Sequence, residues 1–158
     1  MDSLIESGME FGPFQDDDFF YIEESKMRNK TPGIRTVEFI FHPKKSLLYF
    51  VEAKSSAPVN PDEFAKEIAE KFIDSFELLM AGLNDRKTGR DEIGEKIQKL
   101  DYKKVSFKFF LIINGHKEEW LPKIKVFIDE NMKRFHAVWN SEVIVMNEVI
   151  AREYHLIK

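Results

Sequence analysis

The chain has 158 residues, 43% hydrophobic and 13% aromatic, and this composition excludes an intrinsically disordered protein. It contains no cysteine, which excludes disulfide bonds and thiolate metal sites. The net charge is −4, but residues 1–24 hold eight acidic and no basic side chains, so the remainder carries +4. The mildly basic charge of residues 25–158 neither favours nor excludes a nucleic-acid partner.

The acidic N-terminal segment, residues 1–18, is expected to be loose, and residues 19–158 are expected to form a single α/β domain. The segment has no basic stretch followed by a continuous apolar stretch, so it does not read as a signal peptide. No apolar run approaches the 18 or more residues that a membrane span requires. We therefore expect a cytoplasmic protein without a membrane partner.

Three strands are predicted in the first third of the chain. "FFYIEES" from Phe19 reads as the first, and "RTVEFIF", Arg35 to Phe41, reads as the second after the turn signal "NKTPG". "HPKKS" then forms a tight connection to the third strand, Leu47 to Glu52. The short connections predict an antiparallel meander.

Three helices and two strands are predicted after the meander. "NPDEF" begins the clearest helix, with Asn60 as cap and apolar residues at spacings of three and four along one face. A short polar helix is predicted near Glu92 to Leu100, followed by an apolar strand, Val105 to Gly115. "EEWLPKIKVFIDENMKRFHAVW" reads as one helix and "SEVIVMNEVI" as the closing strand. The order predicts a mixed sheet flanked by helices.

An acid and a base end the third strand together. Glu52 and Lys54 are two residues apart, so on an extended chain they point to the same face. If the preceding turn centres on Lys45, Glu38 lies opposite Glu52; if it centres between Lys44 and Lys45, the partner of Glu38 becomes Val51.

Two close carboxylates in a partly buried site repel each other unless a proton or a cation lies between them. Mg²⁺ prefers oxygen ligands and binds through one or two carboxylates together with substrate phosphates. Glu38, Glu52 and Lys54 therefore form a candidate set for phosphodiester hydrolysis, in which Lys54 assists the attacking water or stabilises developing phosphate charge.

The stretch "VEFIFHPKKSLLYFVEAKSS" resembles the signature of the PD-(D/E)xK, or restriction-endonuclease-like, nuclease superfamily. In that signature an acid on one strand precedes an E-x-K triplet that ends the next strand, and a helix follows. The resemblance covers roughly Phe19 to Ile113. It implies a restriction-endonuclease-like core and a nuclease dependent on Mg²⁺ or Mn²⁺ that cleaves DNA or RNA.

The resemblance also implies residue roles. Glu38, Glu52 and Lys54 take the catalytic positions, and Glu38, Glu52 and the carbonyl of Ala53 take the metal positions. Basic residues of the following helix and its end, Lys66, Lys71 and Arg86, take nucleic-acid-binding positions.

The sequence departs from the superfamily pattern at two points. The first acid is usually Asp, often after Pro, whereas Val37 and Glu38 stand here. No leading helix with an additional acid is evident before Phe19, although Glu23 or Glu24 can substitute for that acid.

Two alternatives therefore stay open beside the nuclease. One is a catalytically inactive nuclease-fold module that acts as a binding module or partner subunit, as a homodimer or with another protein. The other is an interaction domain of unrelated α/β fold.

Overall fold

A five-stranded mixed sheet lies at the centre of the protein, beside a separate two-stranded antiparallel sheet. The structure is a computed structural model and describes residues 2–158. The strands are β1 (Leu4–Glu6), β2 (Met9–Phe11), β3 (Phe19–Phe20), β4 (Phe39–Phe41), β5 (Leu47–Lys54), β6 (Ser106–Ile113) and β7 (Glu142–Asn147). The α-helices are α1 (Lys26–Asn29), α2 (Pro61–Leu83), α3 (Glu95–Gln98), α4 (Leu121–Asn131), α5 (Lys133–Trp139) and α6 (Glu148–Glu153). The predicted mixed sheet flanked by helices is confirmed.

The strand order in the central sheet follows the chain, β3-β4-β5-β6-β7. The first three strands pair antiparallel, and β5, β6 and β7 pair parallel. A parallel pair needs a long crossover connection, which α2 provides between β5 and β6 and which α4 and α5 provide between β6 and β7. Residues of α2 and α4 pack in the same core against the sheet, so both crossovers lie on one face.

The helix α2 forms where the sequence predicts it. The Asn60 side chain accepts a hydrogen bond from the Glu63 N–H at 3.3 Å, and Pro61 occupies the first turn, where a missing N–H costs nothing. Within the apolar stripe of α2, Ile68 and Phe72 are fully buried against the sheet. The helix thereby covers the face on which Glu52 lies.

The opposite face of the sheet is covered by both ends of the chain. β1 and β2 form a hairpin, and Phe11 is fully buried there, with its ring 5.4 Å from that of Phe39. Phe11 also forms a bridge with Ile157, near the C-terminus. The structure therefore places part of residues 1–18, which we expected to be loose, in an ordered hairpin. Alternation of apolar side chains within two short strands was too brief a signal to predict it.

Several elements are shorter or more broken than their sequence patterns indicate. The first predicted strand is paired only at β3, because the chain then turns through a 3-10 segment, Ile22–Glu24. The second predicted long helix is divided at Met132 into α4 and α5, and the closing strand ends at Asn147, which caps α6. No helix within residues 2–158 has both the length and the apolar character needed to cross a bilayer.

Candidate functional site

The hairpin between β4 and β5 sets the position of Glu38 relative to Glu52. The paired residues have numbers that sum to 90, as in Phe39 with Val51, and Lys45 at the turn has a left-handed φ of 45°. Glu38 directly precedes β4, and its N–H donates to the Val51 carbonyl at 3.0 Å. The register is the one expected for a turn centred on Lys45, and it brings the Glu38 carboxyl within electrostatic reach of Glu52.

Two lysines reach the Glu52 carboxylate. Glu52 has no exposed side-chain surface, and its Oε2 accepts a hydrogen bond from Lys71 Nζ at 2.5 Å. Lys54 Nζ lies 3.6 Å from the same oxygen, so Glu52 and Lys54 share a face of the sheet as their spacing predicts. Burial raises the pKa of Glu52 above its ordinary value, although the charges of Lys71 and Lys54 act to lower it.

Lys71 lies inside the site and not on the outer surface of α2, where we expected it to meet a nucleic-acid backbone. Burial acts to lower the pKa of the Lys71 ammonium, but the charge of Glu52 and its hydrogen bond outweigh that effect and leave the pKa raised. The spacing of residues along α2 predicts this inward position of Lys71. Lys71 lies three residues after Ile68 and four before Ser75, and both of these are buried on the sheet side of the helix.

Glu38 is a strongly perturbed acid of the site. Its pKa is raised from 4.5 to about 10, chiefly by burial, then by its hydrogen bond with Glu23 and by the charge of Glu52. Without a cation, the Glu38 side chain is therefore a neutral acid at pH 7. A group of this kind either donates a proton or exchanges its proton for a metal ion.

Glu6, Glu23 and Glu38 form an acidic trio that sequence reasoning found only in part. One oxygen from each side chain lies within 4.8 Å of the others. Tyr21 donates its hydroxyl to Glu6 Oε1 at 3.1 Å, and burial and this bond raise the pKa of the phenol. Glu23 was one of the two acids considered as a substitute for a leading-helix acid, whereas nothing in the sequence linked Glu6 to this site.

Two buried carboxylate oxygens in the site lack a partner. Glu38 Oε2 and Glu52 Oε1 are shielded from water, and within residues 2–158 neither receives a hydrogen bond. An unsatisfied buried oxygen of a carboxylate is costly, and an oxygen-seeking cation satisfies it. The donor set around Glu38 therefore fits Mg²⁺ or Mn²⁺ in the chemistry of its ligands.

The remaining predicted site residues, Ala53, Lys66 and Arg86, lie in three different places relative to Glu52. The Ala53 side chain is buried on the opposite face of the sheet, so only its backbone can contribute to the site. Lys66 is exposed on α2. Arg86 is exposed beyond the far end of α2, about 20 Å along the helix axis from Lys71. The structure thus brings Lys71, but not Arg86, to the carboxylates.

Comparisons with family models, with curated proteins and with solved structures gave no match to this chain. The site combines a neutral acid, a second buried carboxyl group and two ammonium groups near the carboxyl end of β5, the central strand of the sheet. Such a set can bind a cation and can stabilise an anion beside it.

Proposed function

We propose that this protein hydrolyses phosphodiester bonds of nucleic acid with a divalent cation bound at Glu38 and Glu52. The observation that carries the proposal is the pair of buried, partnerless oxygens on these two carboxylates, with Lys54 beside them. The connectivity of the sheet also supports the proposal. The antiparallel hairpin of β4 and β5 is followed by the helix α2 and then by the parallel strand β6, in the order that the PD-(D/E)xK resemblance implies.

The roles of the residues follow from their charges and positions. Glu38 and Glu52, with the Ala53 carbonyl and with Glu23 as a further acid, would hold Mg²⁺ or Mn²⁺, and the ion would supply Lewis acidity and an activated water. In the hydrolysis a water oxygen bonds to phosphorus while a phosphorus–oxygen ester bond breaks. The Lys54 ammonium donates hydrogen bonds to the non-bridging oxygens as negative charge develops on them. Lys71 holds Glu52 in place through its ion pair.

The test measures metal binding and cleavage on the same preparations. Mg²⁺ and Mn²⁺ are titrated calorimetrically into the wild type, Glu38→Gln and Glu52→Gln, and cleavage of plasmid DNA and of a structured RNA is followed with each metal. We expect metal-dependent cleavage by the wild type and weakened metal binding by both variants. We expect Lys54→Met to retain metal binding and to lose about 100-fold or more in cleavage rate.

Glu153→Gln and Lys99→Met are the matched controls, because both residues are exposed and Lys99 pairs only with Glu95 among the described residues. Both control variants are expected to behave as the wild type. Cleavage that is unchanged in Glu52→Gln and Lys54→Met would remove this site from the reaction.

A second candidate function is a non-catalytic binding module or partner subunit of the same fold. The observation that favours it is the close ion pair between Lys71 and Glu52, because a lysine already neutralises one of the two metal-binding carboxylates. The same titration separates the two functions. A scaffold without catalysis is expected to show no divalent-cation binding that depends on Glu38 and Glu52.

A further inference from the structure

A concave site lies at the carboxyl ends of β5 and β6. It is a pocket of about 340 Å³, within the size range of ligand-binding pockets. Its walls come from the segment after β5, the first residue of α2, the segment after β6 and the start of α4. Ligands of open α/β sheets bind outside the carboxyl ends of the strands, and this pocket has that position.

The pocket adjoins Lys54 through the backbone. Lys54 in β5 is the register partner of Ile113 in β6, and the next residue, Asn114, donates its N–H to the Lys54 carbonyl at 2.9 Å. His116, two residues further on, lines the pocket. The pocket therefore lies at the same end of β5 and β6 as Lys54.

His116 is a buried polar side chain without a partner. It is only 7% exposed, and neither ring nitrogen makes a hydrogen bond to any of the described residues. Burial lowers the pKa of its imidazole, which therefore stays neutral, with one N–H donor and one acceptor nitrogen. The Asn147 side chain donates to the His116 carbonyl at 3.0 Å and holds its backbone. The fold thus keeps an unsatisfied donor and acceptor within the pocket wall, where both nitrogens are shielded from solvent and become accessible to a ligand only when the Trp120 ring packed on them shifts.

Trp120 forms an aromatic, half-exposed wall of the pocket. Its indole is 48% exposed and packs edge to face on the His116 ring, with 5.4 Å between ring centroids. Two prolines, Pro58 and Pro61, and the side chain of Ile124 add apolar surface. A half-exposed aromatic ring next to apolar walls is suited to a flat, aromatic ligand.

The charged side chains of the pocket favour a base over a phosphate as the group bound inside it. Glu119 lines the pocket, and a carboxylate repels phosphate but accepts hydrogen bonds from the amino group of a base. Lys123 also lines the pocket, and the Lys117 ammonium lies over the Trp120 ring at 4.8 Å from its centroid, so two positive charges lie near Glu119. This arrangement places the base inside and its backbone phosphate at the rim.

We infer that this pocket binds one unpaired nucleobase of the nucleic-acid strand whose neighbouring phosphate lies at Lys54, by stacking on Trp120 and hydrogen bonding to His116. The inference rests on the proposed function, since it names the part of the substrate that is bound beside the reacting bond. A base with an exocyclic amino group fits best because of Glu119. The substrate is therefore single-stranded or locally unpaired at the site.

Binding is tested by fluorescence without metal. The chain has two tryptophans, so Trp139→Phe leaves Trp120 as the only indole and also serves as the background for all variants. In EDTA, each of the four nucleoside monophosphates and a short single-stranded oligonucleotide of mixed sequence are titrated. We expect saturable quenching of Trp120 by the oligonucleotide, and by the free nucleotides only at higher concentration, because they lack the backbone contacts at the rim.

The role of each ring is tested by anisotropy of a labelled oligonucleotide. We expect His116→Phe and Trp120→Ala to weaken binding about tenfold or more, the loss expected for one stacked or hydrogen-bonded base. His116→Phe is also expected to raise the midpoint of thermal unfolding or leave it unchanged, because it removes two buried nitrogens that have no partner. A merely structural histidine would instead lower that midpoint on substitution.

The inference fails if the oligonucleotide does not quench Trp120, or if both variants bind the labelled strand as tightly as the Trp139→Phe background. It also fails if free nucleotides bind as tightly as the strand, which would make the pocket a site for free nucleotides. The quenching and anisotropy results do not depend on whether the protein cleaves nucleic acid. Normal cleavage of nucleic acid by Trp120→Ala would overturn the inference about the pocket and leave the proposed hydrolysis standing. Quenching of Trp120 by the oligonucleotide in a protein that binds no metal would overturn the proposed hydrolysis and leave the pocket standing.

Discussion

At the scale of single residues, Glu38 decides the chemistry of the site. It is buried, its neighbours Glu23 and Glu52 are acids, and one of its oxygens has no hydrogen-bond partner within the described part of the chain. Each of these conditions disfavours its charged form, so the folded protein keeps a proton on Glu38 that the unfolded chain would release. A bound cation would replace that proton and remove the conflict.

We predict that stability in EDTA depends on the protonation of Glu38. Its pKa is 4.5 in the unfolded chain and about 10 in the folded protein. The stability that the protonated group contributes is therefore complete below about pH 4.5 and is lost as the pH rises towards 10. Glu38→Gln keeps the shape and abolishes the charge, so we expect it to be about 1–3 kcal/mol more stable than the wild type at pH 9.

Urea unfolding at pH 5, 7 and 9 measures this effect. The advantage of Glu38→Gln is expected to grow with pH, and Glu153→Gln, at an exposed acid, is expected to follow the wild type at every pH. Parallel pH profiles for the wild type and Glu38→Gln would show that Glu38 is ionised in the folded protein.

At the scale of elements, α2 and β5 are joined by an ion pair inside an otherwise apolar interface. The same stripe of α2 that packs Ile68 and Phe72 on the sheet brings Lys71 to Glu52. A buried pair of this kind costs desolvation that the attraction only partly offsets, so it is weak evidence for stability. In the proposed reaction this pair would orient Glu52 beside Lys54.

We predict that Lys71→Met destabilises the protein by about 3 kcal/mol, because it leaves Glu52 buried with only the more distant Lys54 as partner. The double variant Lys71→Met/Glu52→Gln removes both charges and is expected to recover most of that loss. A double-mutant cycle by urea denaturation measures the coupling between the two residues.

Lys66→Met is the matched control for this cycle, since Lys66 is an exposed lysine of the same helix. It is expected to change stability by less than about 0.5 kcal/mol. Additive effects of Lys71→Met and Glu52→Gln would contradict the ion pair.

At the scale of the whole molecule, the two faces of the sheet serve different purposes. The face with α2 and α4 carries the larger core and the carboxylate of Glu52. The other face is closed by the N-terminal hairpin and the C-terminal residues, and this hairpin also supplies Glu6 to the acidic trio. The N-terminal segment is therefore part of both the core and the site.

We predict that Phe11→Ala lowers stability by about 3–5 kcal/mol, because a fully buried aromatic ring that packs on Phe39 is lost. Since the hairpin positions Glu6 beside Glu23 and Glu38, which we propose as metal ligands, the same variant is expected to weaken Mn²⁺ binding. Urea unfolding and calorimetric titration measure the two effects.

Ile5→Ala provides the control within the hairpin, because Ile5 is 72% exposed. It is expected to leave both stability and metal binding within about 0.5 kcal/mol of the wild type. If Phe11→Ala proves no more harmful than Ile5→Ala, the hairpin does not contribute to the core.

The sequence by itself determined the features that depend on local periodicity and turn chemistry. The apolar stripe and the Asn60 cap predicted α2, and alternation along β5 placed Glu52 and Lys54 on one face. The turn signal limited the hairpin to two registers, and the structure has the one centred on Lys45. Each of these depends on residues a few positions apart.

Only the tertiary structure decided which distant side chains complete the site. Glu6 reaches Glu38 across 32 positions, Lys71 reaches Glu52 across the β5–α2 connection, and His116 reaches its pocket through the pairing of β5 with β6. It also decided the charge of Glu38, because burial and neighbouring acids act through space. Sequence periodicity carries no information on such contacts, since they depend on how separate elements pack.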